Sequence, residues 1–268
     1  MKNNIVPNDM RILQNAIMEF PTWDLFNDYI VEASNNYFPS TNFGNKPMRC
    51  PNKTIISITG TSKLKSIIGG NKFIGIDVPV LLKSEGNDNK GTICIVGESP
   101  LRNIKDFKNS DNILLGTPYA VHQEFGSPSQ CIVYKMIFNE LLAAGYSVYL
   151  TDIVKIWWKG KDMIKDKDVD ENFLEKELEK IGKNVFIVTW GKRASDKFSK
   201  MNIDYLPLLH PGKRNWDNWK LKIFMKAVYD EGVDYAKNLY PCKKGSPTTE
   251  FIVANEAVKE ILDYCNKS

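Results

Sequence analysis

Four short apolar segments along the chain predict the strands of a central sheet. Each segment is nearly continuous in aliphatic, β-branched and aromatic residues and does not alternate between polar and apolar positions. This pattern is typical of parallel strands in a sheet that is covered by helices on both faces. The predicted strands are Thr92–Gly97, Ser147–Val154, Asn184–Trp190 and Asp204–Leu209.

Helical periodicity occupies the intervals between these strands. In Ser129–Ala144 and Asp170–Ile181 the apolar residues recur at three- and four-residue spacing, and a glycine, a common helix stop signal, follows each segment. A shorter helix is predicted over Ala194–Met201. The alternation of strands and helices predicts an α/β fold, a three-layer α/β/α sandwich with a mainly parallel four-stranded central sheet.

The segments on either side of this core predict additions to it. Residues 1–90 are expected to form a mostly helical N-terminal elaboration, with helix over Asp9–Phe38 and an edge strand or hairpin over Lys72–Lys83. Residues 91–220 form the α/β core, and residues 221–268 are expected to pack on it as C-terminal helices. The helices predicted near the C-terminus are Asn218–Tyr240 and Thr249–Asn266.

Composition is ordinary for a globular protein and argues against several kinds of site. Apolar residues make up 43% and charged residues 25% of the 268-residue chain, so a sizeable core is available. We find no apolar run near the ~18 residues that span a bilayer and no apolar segment of a secretory signal. The five cysteines are scattered and never in C-x-x-C spacing, which argues against a zinc site, an iron–sulfur cluster and a disulfide framework. We therefore expect a cytoplasmic protein with reduced core thiols and no membrane association.

Positive charge is concentrated in two segments. The net charge is only +4, yet nine basic residues and three acids lie between Lys192 and Lys226. A second basic run, Lys155–Lys167, surrounds Trp157 and Trp158. A surface of one sign favours phosphate binding, although a solvated helix face also produces such runs.

Polar residues follow the predicted strands at their carboxyl ends, where open parallel sheets bind ligands. In chain order they are Gly97-Glu98-Ser99-Pro100, Asp152-Ile153-Val154-Lys155, Gly191-Lys192-Arg193 and His210-Pro211-Gly212. Taken singly, Glu98 is explained as a helix cap and His210 as a hydrogen-bonding residue of a turn. Taken together, they predict a site in which Glu98 faces a water or a cation and His210 donates to an oxyanion.

Four motifs, in their order along the chain, resemble those of the uracil-DNA glycosylase superfamily. Gly97-Glu98-Ser99-Pro100 is similar to the Gly-Glu-Ala-Pro turn after that family's first core strand. Gly116-Thr117-Pro118-Tyr119 is similar to its Gly-x-Pro-Phe segment, and Thr151-Asp152-Ile153-Val154-Lys155 to its Thr-Asn-Val-Val-Lys segment. His210-Pro211-Gly212-Lys213-Arg214-Asn215 is similar to its final His-Pro motif, in the form that Arg-Asn follows. The motifs span under half of the chain, and their order is more specific than any one of them.

The resemblance implies a DNA glycosylase that flips a base out of the helix and hydrolyses its glycosidic bond without a metal or organic cofactor. His210 would donate to the base carbonyl as negative charge develops, and Glu98 would stabilise the sugar cation and orient a water. Ser99 stands where some branches carry an Asp or Asn that handles water, which leaves open whether Glu98 acts alone. The base-binding residues would be Tyr119, as a stacking surface, with Asp152, Gly97 and Pro100.

The same resemblance implies DNA as the partner of a monomer with no obligate protein partner. A basic and aromatic loop after the last strand would grip the DNA backbone or fill the gap that the base leaves. The candidate DNA-binding residues are Lys213, Arg214, Asn215, Trp216, Lys155 and Lys192.

Asp152 stands where the family usually has the Asn that reads uracil. An amide can donate to the uracil 4-carbonyl, whereas a carboxylate only accepts and suits the exocyclic amine of cytosine. Since removal of ordinary cytosine from the cell's own genome would be toxic, we expect a modified cytosine, such as the hydroxymethylated or glucosylated forms in some phage DNA. That substrate implies antiviral defence. The alternative is that Asp152 is protonated or turned aside, which leaves a uracil-DNA glycosylase of base-excision repair.

Two further classes stay open from the sequence. The first is a non-catalytic DNA-binding member of the family, in which Ser99 marks a lost water-handling group. The second is a small-molecule nucleoside or nucleotide hydrolase. The basic loops argue against the second class, because a free nucleoside needs no extended phosphate-binding surface.

Overall fold

The structure, a computed structural model, describes residues 10–22, 25, 56–58, 73–84, 90–99, 113–121, 132–158, 171–231 and 248–267. The strands are β1 (Ile17–Glu19), β2 (Ile56–Ile58), β3 (Phe73–Asp77), β4 (Val80–Lys83), β5 (Thr92–Gly97), β6 (Ile113–Gly116), β7 (Ser147–Asp152), β8 (Ile156–Trp158), β9 (Val185–Trp190) and β10 (Leu206–Leu208). The helices are α1 (Arg11–Asn15), α2 (Ile132–Ala143), α3 (Glu171–Ile181), α4 (Lys192–Met201), α5 (Trp216–Glu231) and α6 (Thr248–Cys265). Short 3-10 turns cover Pro118–Ala120 and Lys213–Asn215.

The central sheet has six strands in the order β1-β4-β7-β5-β9-β10. The α/β class was predicted, and β7, β5, β9 and β10 are mutually parallel as expected. The sheet was predicted to have four strands but has six, because β4 pairs antiparallel with β7 and β1 pairs antiparallel with β4. In β4 buried and partly exposed residues alternate, unlike the continuous burial of β7. Short alternating strands suit the antiparallel edge of a sheet, and their apolar runs are too brief to stand out in the sequence.

The strand order reverses at β5. The chain passes from β5 to its neighbour β7, then crosses back over β5 to β9 and continues to β10. Right-handed crossovers in opposite directions put α2 and α3 on opposite faces of the sheet. Such a reversal opens a crevice at the carboxyl ends of the two strands between which it falls, here β5 and β9.

A second sheet has four strands in the order β2-β6-β3-β8. It was not predicted, and it brings together segments from the N-terminal region with β6, which precedes the Pro118–Ala120 turn. The Lys72–Lys83 segment contains β3 and β4, which belong to different sheets and so do not form a hairpin. Of the helix predicted over Asp9–Phe38, only residues 10–22 and 25 are described, and there α1 ends before β1.

The C-terminal helices contribute to the apolar core. Helix α6 packs along α2 and also contacts α5. Its buried residues include Val253, Ala257 and Ile261, which share one face of the helix at four-residue spacing. None of the helices in the described part of the chain is both long and apolar enough to cross a membrane.

Candidate functional site

The carboxyl ends of β5 and β7 bring Gly97 and Asp152 side by side. The two residues are register partners in the parallel pairing. A Cβ atom on Gly97 would collide with Oδ1 of Asp152 and lie 2.6 Å from the hydroxyl of Tyr119. Glycine is therefore required here, and the Asp152 carboxylate is turned toward β5 and Tyr119. Because side chains alternate along a strand, the neighbouring Thr151 faces the other side of the sheet.

Tyr119 enters this region from the 3-10 turn after β6 in an unusual backbone conformation. Its φ is 56°, and that of Ala120 is 53°, both in the left-handed region that non-glycine residues rarely adopt. The Tyr119 ring centroid lies 5.0 Å from those of both Tyr134 and Trp190 and 5.6 Å from that of Phe138. The ring was expected as a stacking surface for a base, and the structure surrounds it with this aromatic cluster.

The Tyr119 hydroxyl lies inside the protein. It is shielded from solvent and has no hydrogen-bond partner among the described residues. Burial raises its pKa well above the ordinary value, and the charge of Asp152 raises it further. The hydroxyl therefore keeps its proton and remains a hydrogen-bond donor. The Trp190 indole N–H, in the same cluster, is likewise buried and without a partner in the part of the chain described.

Glu98 forms an ion pair with Arg193 at the point where the strand order reverses. The Arg193 guanidinium donates to the Glu98 carboxylate at 3.1 Å, and the two side chains are 30% and 45% exposed. Glu98 directly follows β5, and Arg193 lies in the first turn of α4 after β9. The sequence placed Arg193 at this edge but assigned it no role. The adjacency of β5 and β9 in the sheet was the missing information.

His210 follows β10 by two residues and is held in a defined tautomer. Its Nδ1 accepts a hydrogen bond of 3.1 Å from the backbone N–H of Gly212. The neutral ring therefore carries its proton on Nε2, which lies 3.5 Å from the Tyr134 hydroxyl. Burial lowers the pKa of His210, and the negative charge of Glu98 raises it in part. His210 is thus held as a neutral imidazole whose Nε2–H can donate.

The loop after His210 is fixed by its own side chains. The Asn215 amide and the Trp219 indole N–H donate to the His210 carbonyl at 3.0 and 3.4 Å. The Trp216 indole N–H donates to the Pro211 carbonyl at 3.1 Å. Trp219 is fully buried. Asn215 and Trp216, predicted as DNA-binding residues, use these polar groups to position the loop that carries His210.

Lys155, also predicted to bind DNA, is engaged inside the protein. Its ammonium lies 2.8 Å from the carboxylate of Glu177 on α3, and their side chains are 11% and 0% exposed. Glu177 also accepts hydrogen bonds of 2.7 Å from Tyr149 and Thr151 of β7. We therefore remove Lys155 from the candidate DNA surface, because its charge neutralises a buried carboxylate.

Three basic residues remain exposed at this edge of the sheet. Lys192 begins α4 at the end of β9, and Lys213 and Arg214 form the 3-10 turn after His210. Ser99 is half-buried beside Glu98. Pro100 lies outside the described residues, as does the second basic run beyond Trp158. In the ranges that are described, no group of His, Cys, Asp and Glu side chains is arranged to hold a metal ion.

No protein-family profile matches the chain, and no curated protein matches its sequence. The likeness to the glycosylase superfamily therefore depends on the four motifs and on the chemistry of the residues gathered here.

Proposed function

We propose that the protein is a DNA glycosylase that flips a base out of DNA and hydrolyses its glycosidic bond, leaving an abasic site. The observation that carries the proposal is the convergence of three groups at the carboxyl ends of parallel strands: Glu98 after β5, Asp152 at the end of β7 and His210 after β10. In the proposed reaction Glu98 acts on the sugar, Asp152 binds the pairing edge of the base, and His210 stabilises the leaving group.

His210 stabilises the leaving base. As the bond to the sugar breaks, negative charge develops on the base and its carbonyl oxygen becomes a stronger acceptor. A neutral imidazole with Nδ1 occupied by Gly212 presents only Nε2–H to that oxygen. A donor that is already oriented in a poorly solvated position costs no reorganisation at the transition state, and one such donor contributes about 100- to 1,000-fold in rate.

Glu98 opposes the positive charge that develops on the sugar. Its carboxylate is half-exposed, so a water molecule can reach it, while the ion pair with Arg193 fixes its orientation. The same carboxylate oxygen pair is suited to accept a hydrogen bond from the attacking water. Ser99 supplies a neighbouring hydroxyl in place of the acidic or amide side chain found in some branches of the family.

Asp152 selects the base. A buried carboxylate accepts from the exocyclic amine of a cytosine but meets the 4-carbonyl of uracil with unshared electron pairs on both sides. The carboxylate is turned toward Tyr119 and not away from it, which supports a role in reading the base. We propose that the substrate is a modified cytosine, as in hydroxymethylated or glucosylated phage DNA, and that the protein serves antiviral defence. The alternative substrate is uracil.

Lys192, Lys213 and Arg214 are proposed to hold the DNA backbone. They are exposed at the same edge of the sheet as His210 and Glu98. Contacts with phosphates depend steeply on salt and carry no sequence information. Three such contacts correspond to a slope of log K against log salt of about −2.7, whereas hydrolysis of a free nucleoside would be insensitive to salt.

A base-release assay tests the proposal. Duplexes that carry one uracil, cytosine, hydroxymethylcytosine or glucosylated hydroxymethylcytosine are incubated with the protein and then treated with alkali, which cleaves at abasic sites. We expect strand breaks at a modified cytosine, formed at least about 100-fold more slowly with the Glu98→Gln or His210→Asn variants. Breaks at uracil alone would favour the repair enzyme, and DNA binding without breaks in any duplex would favour the non-catalytic class.

A further inference from the structure

The Tyr119 hydroxyl is a costly feature that the proposed stacking role does not explain. A phenylalanine would provide the same ring without placing an unpartnered hydroxyl in the interior. Buried donors almost always find a partner in native proteins, and this one has none among the described residues. The two left-handed backbone conformations at Tyr119 and Ala120 add strain at the same turn. Such features persist where a functional site needs them.

The hydroxyl lies beside the group that is proposed to read the base. Both the Tyr119 oxygen and Oδ1 of Asp152 lie where they would contact a Cβ atom on Gly97, and the missing side chain of this glycine leaves room for them. The aromatic cluster links this point to the leaving-group side, since Trp190 lies 5.0 Å from Tyr119 and 6.1 Å from His210 between ring centroids. An acceptor, a protonated hydroxyl and an imidazole donor thus border one region.

This set of groups is complementary to the pairing edge of cytosine. Along that edge cytosine presents a donor at its exocyclic amine, an acceptor at N3 and an acceptor at O2. Uracil presents an acceptor at O4, a donor at N3 and an acceptor at O2. Asp152 accepts at the exocyclic amine and His210 donates to O2. A donor of the protein that faces N3 would then distinguish the two bases, because N3 is an acceptor in cytosine and a donor in uracil.

We propose that the Tyr119 hydroxyl donates to N3 of the flipped base and is a specificity-determining group of the site. This role replaces stacking by its ring, because a ring that stacks on a base cannot reach the edge of the same base with its in-plane hydroxyl. The inference rests on the proposed glycosylase function. Because the hydroxyl is shielded from solvent in the free protein, entry of the base requires a shift of the Pro118–Ala120 turn.

The test is a Tyr119→Phe variant, which keeps the ring and removes only the hydroxyl. Tyr264→Phe is the matched control, because that hydroxyl bonds the exposed Asp204 and its ring packs on Phe186 at the opposite end of β9. Single-turnover rates are measured on duplexes with uracil, cytosine and the two modified cytosines. We expect Tyr119→Phe to slow release of the cytosine-type bases by about 10- to 100-fold and of uracil by less than about threefold.

Other outcomes separate the two proposals. If the wild type releases a base and Tyr119→Phe does so at the same rate on every duplex, the role of the hydroxyl is overturned and the proposed glycosylase function stands. Equal slowing on uracil and on cytosine-type bases also overturns it, because the effect would then not be one of specificity. No release by the wild type from any duplex refutes the proposed function itself. Melting temperature gives an independent readout: Tyr119→Phe should unfold no earlier than the wild type, because the lost hydroxyl has no hydrogen-bond partner among the residues that the structure describes.

Discussion

The Asp152→Asn substitution should convert the base preference from cytosine to uracil. At 4% exposure the carboxylate is screened little by water, so its hydrogen bond with an exocyclic amine has the strength of a charged one, about 1.5–3 kcal/mol. The amide oxygen of the variant still accepts from the amine in a neutral hydrogen bond of about 0.5–1.5 kcal/mol. The loss is therefore about 1–1.5 kcal/mol, which slows release of cytosine-type bases by about 5- to 13-fold. The amide gains a donor for the uracil 4-carbonyl and removes the repulsion there, so the uracil rate should rise by a comparable factor.

Single-turnover release from paired duplexes measures the ratio of the two rates directly. The product of the two changes is a shift of the ratio by about 25-fold or more. Asp204→Asn is the control, because this substitution removes the same charge on the exposed surface, where Asp204 accepts a hydrogen bond from Tyr264. A variant that releases both bases with the wild-type ratio would show that Asp152 does not read the base, whatever its effect on the absolute rates.

Three further predictions concern pH, salt and stability. Because burial lowers the pKa of His210, the unfolded chain binds a proton there first as pH falls below about 6.5. The unfolding free energy should therefore decrease between that pH and the pKa of the folded state, by at most about 1.4 kcal/mol per pH unit. A denaturation series with His210→Asn should lack this component. The Lys213→Ala and Arg214→Ala double variant should reduce the salt slope of DNA binding by about 1.8. Lys155→Met should leave this slope unchanged but cost about 3–5 kcal/mol of stability, because it leaves the buried charge of Glu177 without its ion-pair partner. A reduced slope with Lys155→Met would contradict the internal role of Lys155. Tyr149→Phe removes a donor to buried Glu177 and should lower the unfolding free energy by about 1–3 kcal/mol in urea titrations, whereas equal stability of Tyr149→Phe and Tyr264→Phe would contradict the network.

The parallel core of the sheet was predictable because its strands are buried on both faces. Thr92–Gly97 has the predicted bounds, and the other three core strands fall within theirs. β7 ends at Asp152, earlier than expected, although the backbone N–H groups of Ile153 and Val154 still donate to the carbonyls of Gly97 and Glu98. β3 and β4 lie within the Lys72–Lys83 segment that was predicted as an edge strand or hairpin. Strand β1 and the pairing of the second sheet were missed, since short strands paired across long sequence separations leave only weak local signals.

The sequence could name residues at the edge of the sheet but not their partners. Glu98 and His210 were predicted at this edge because the linear sequence shows which polar residues directly follow the apolar strand segments. The pairing of Glu98 with Arg193 depends on which strands are neighbours, and strand order is a property of the fold. Lys155 was misassigned because its partner Glu177 lies on a helix whose charges resemble a solvated face.

The tryptophans after His210 illustrate the same limit. An aromatic pair in a basic loop is compatible with contacts to DNA, and the sequence does not reveal the orientation of the rings. Trp219 is buried in the core and donates toward the His210 carbonyl, and Trp216 donates to that of Pro211. Both tryptophans therefore position the loop that carries His210, and contact with DNA phosphates stays a prediction for Lys213 and Arg214.

The central claim is that a base leaves DNA while the phosphodiester backbone stays intact. The most direct measurement is mass spectrometry of the free base released from a duplex with one glucosylated hydroxymethylcytosine, together with a count of abasic sites in the same strand. We predict one released base for each abasic site with the wild type, and both products formed about 100- to 1,000-fold more slowly with His210→Asn. Intact duplex after prolonged incubation, with uracil, cytosine and both modified cytosines alike, would contradict the account.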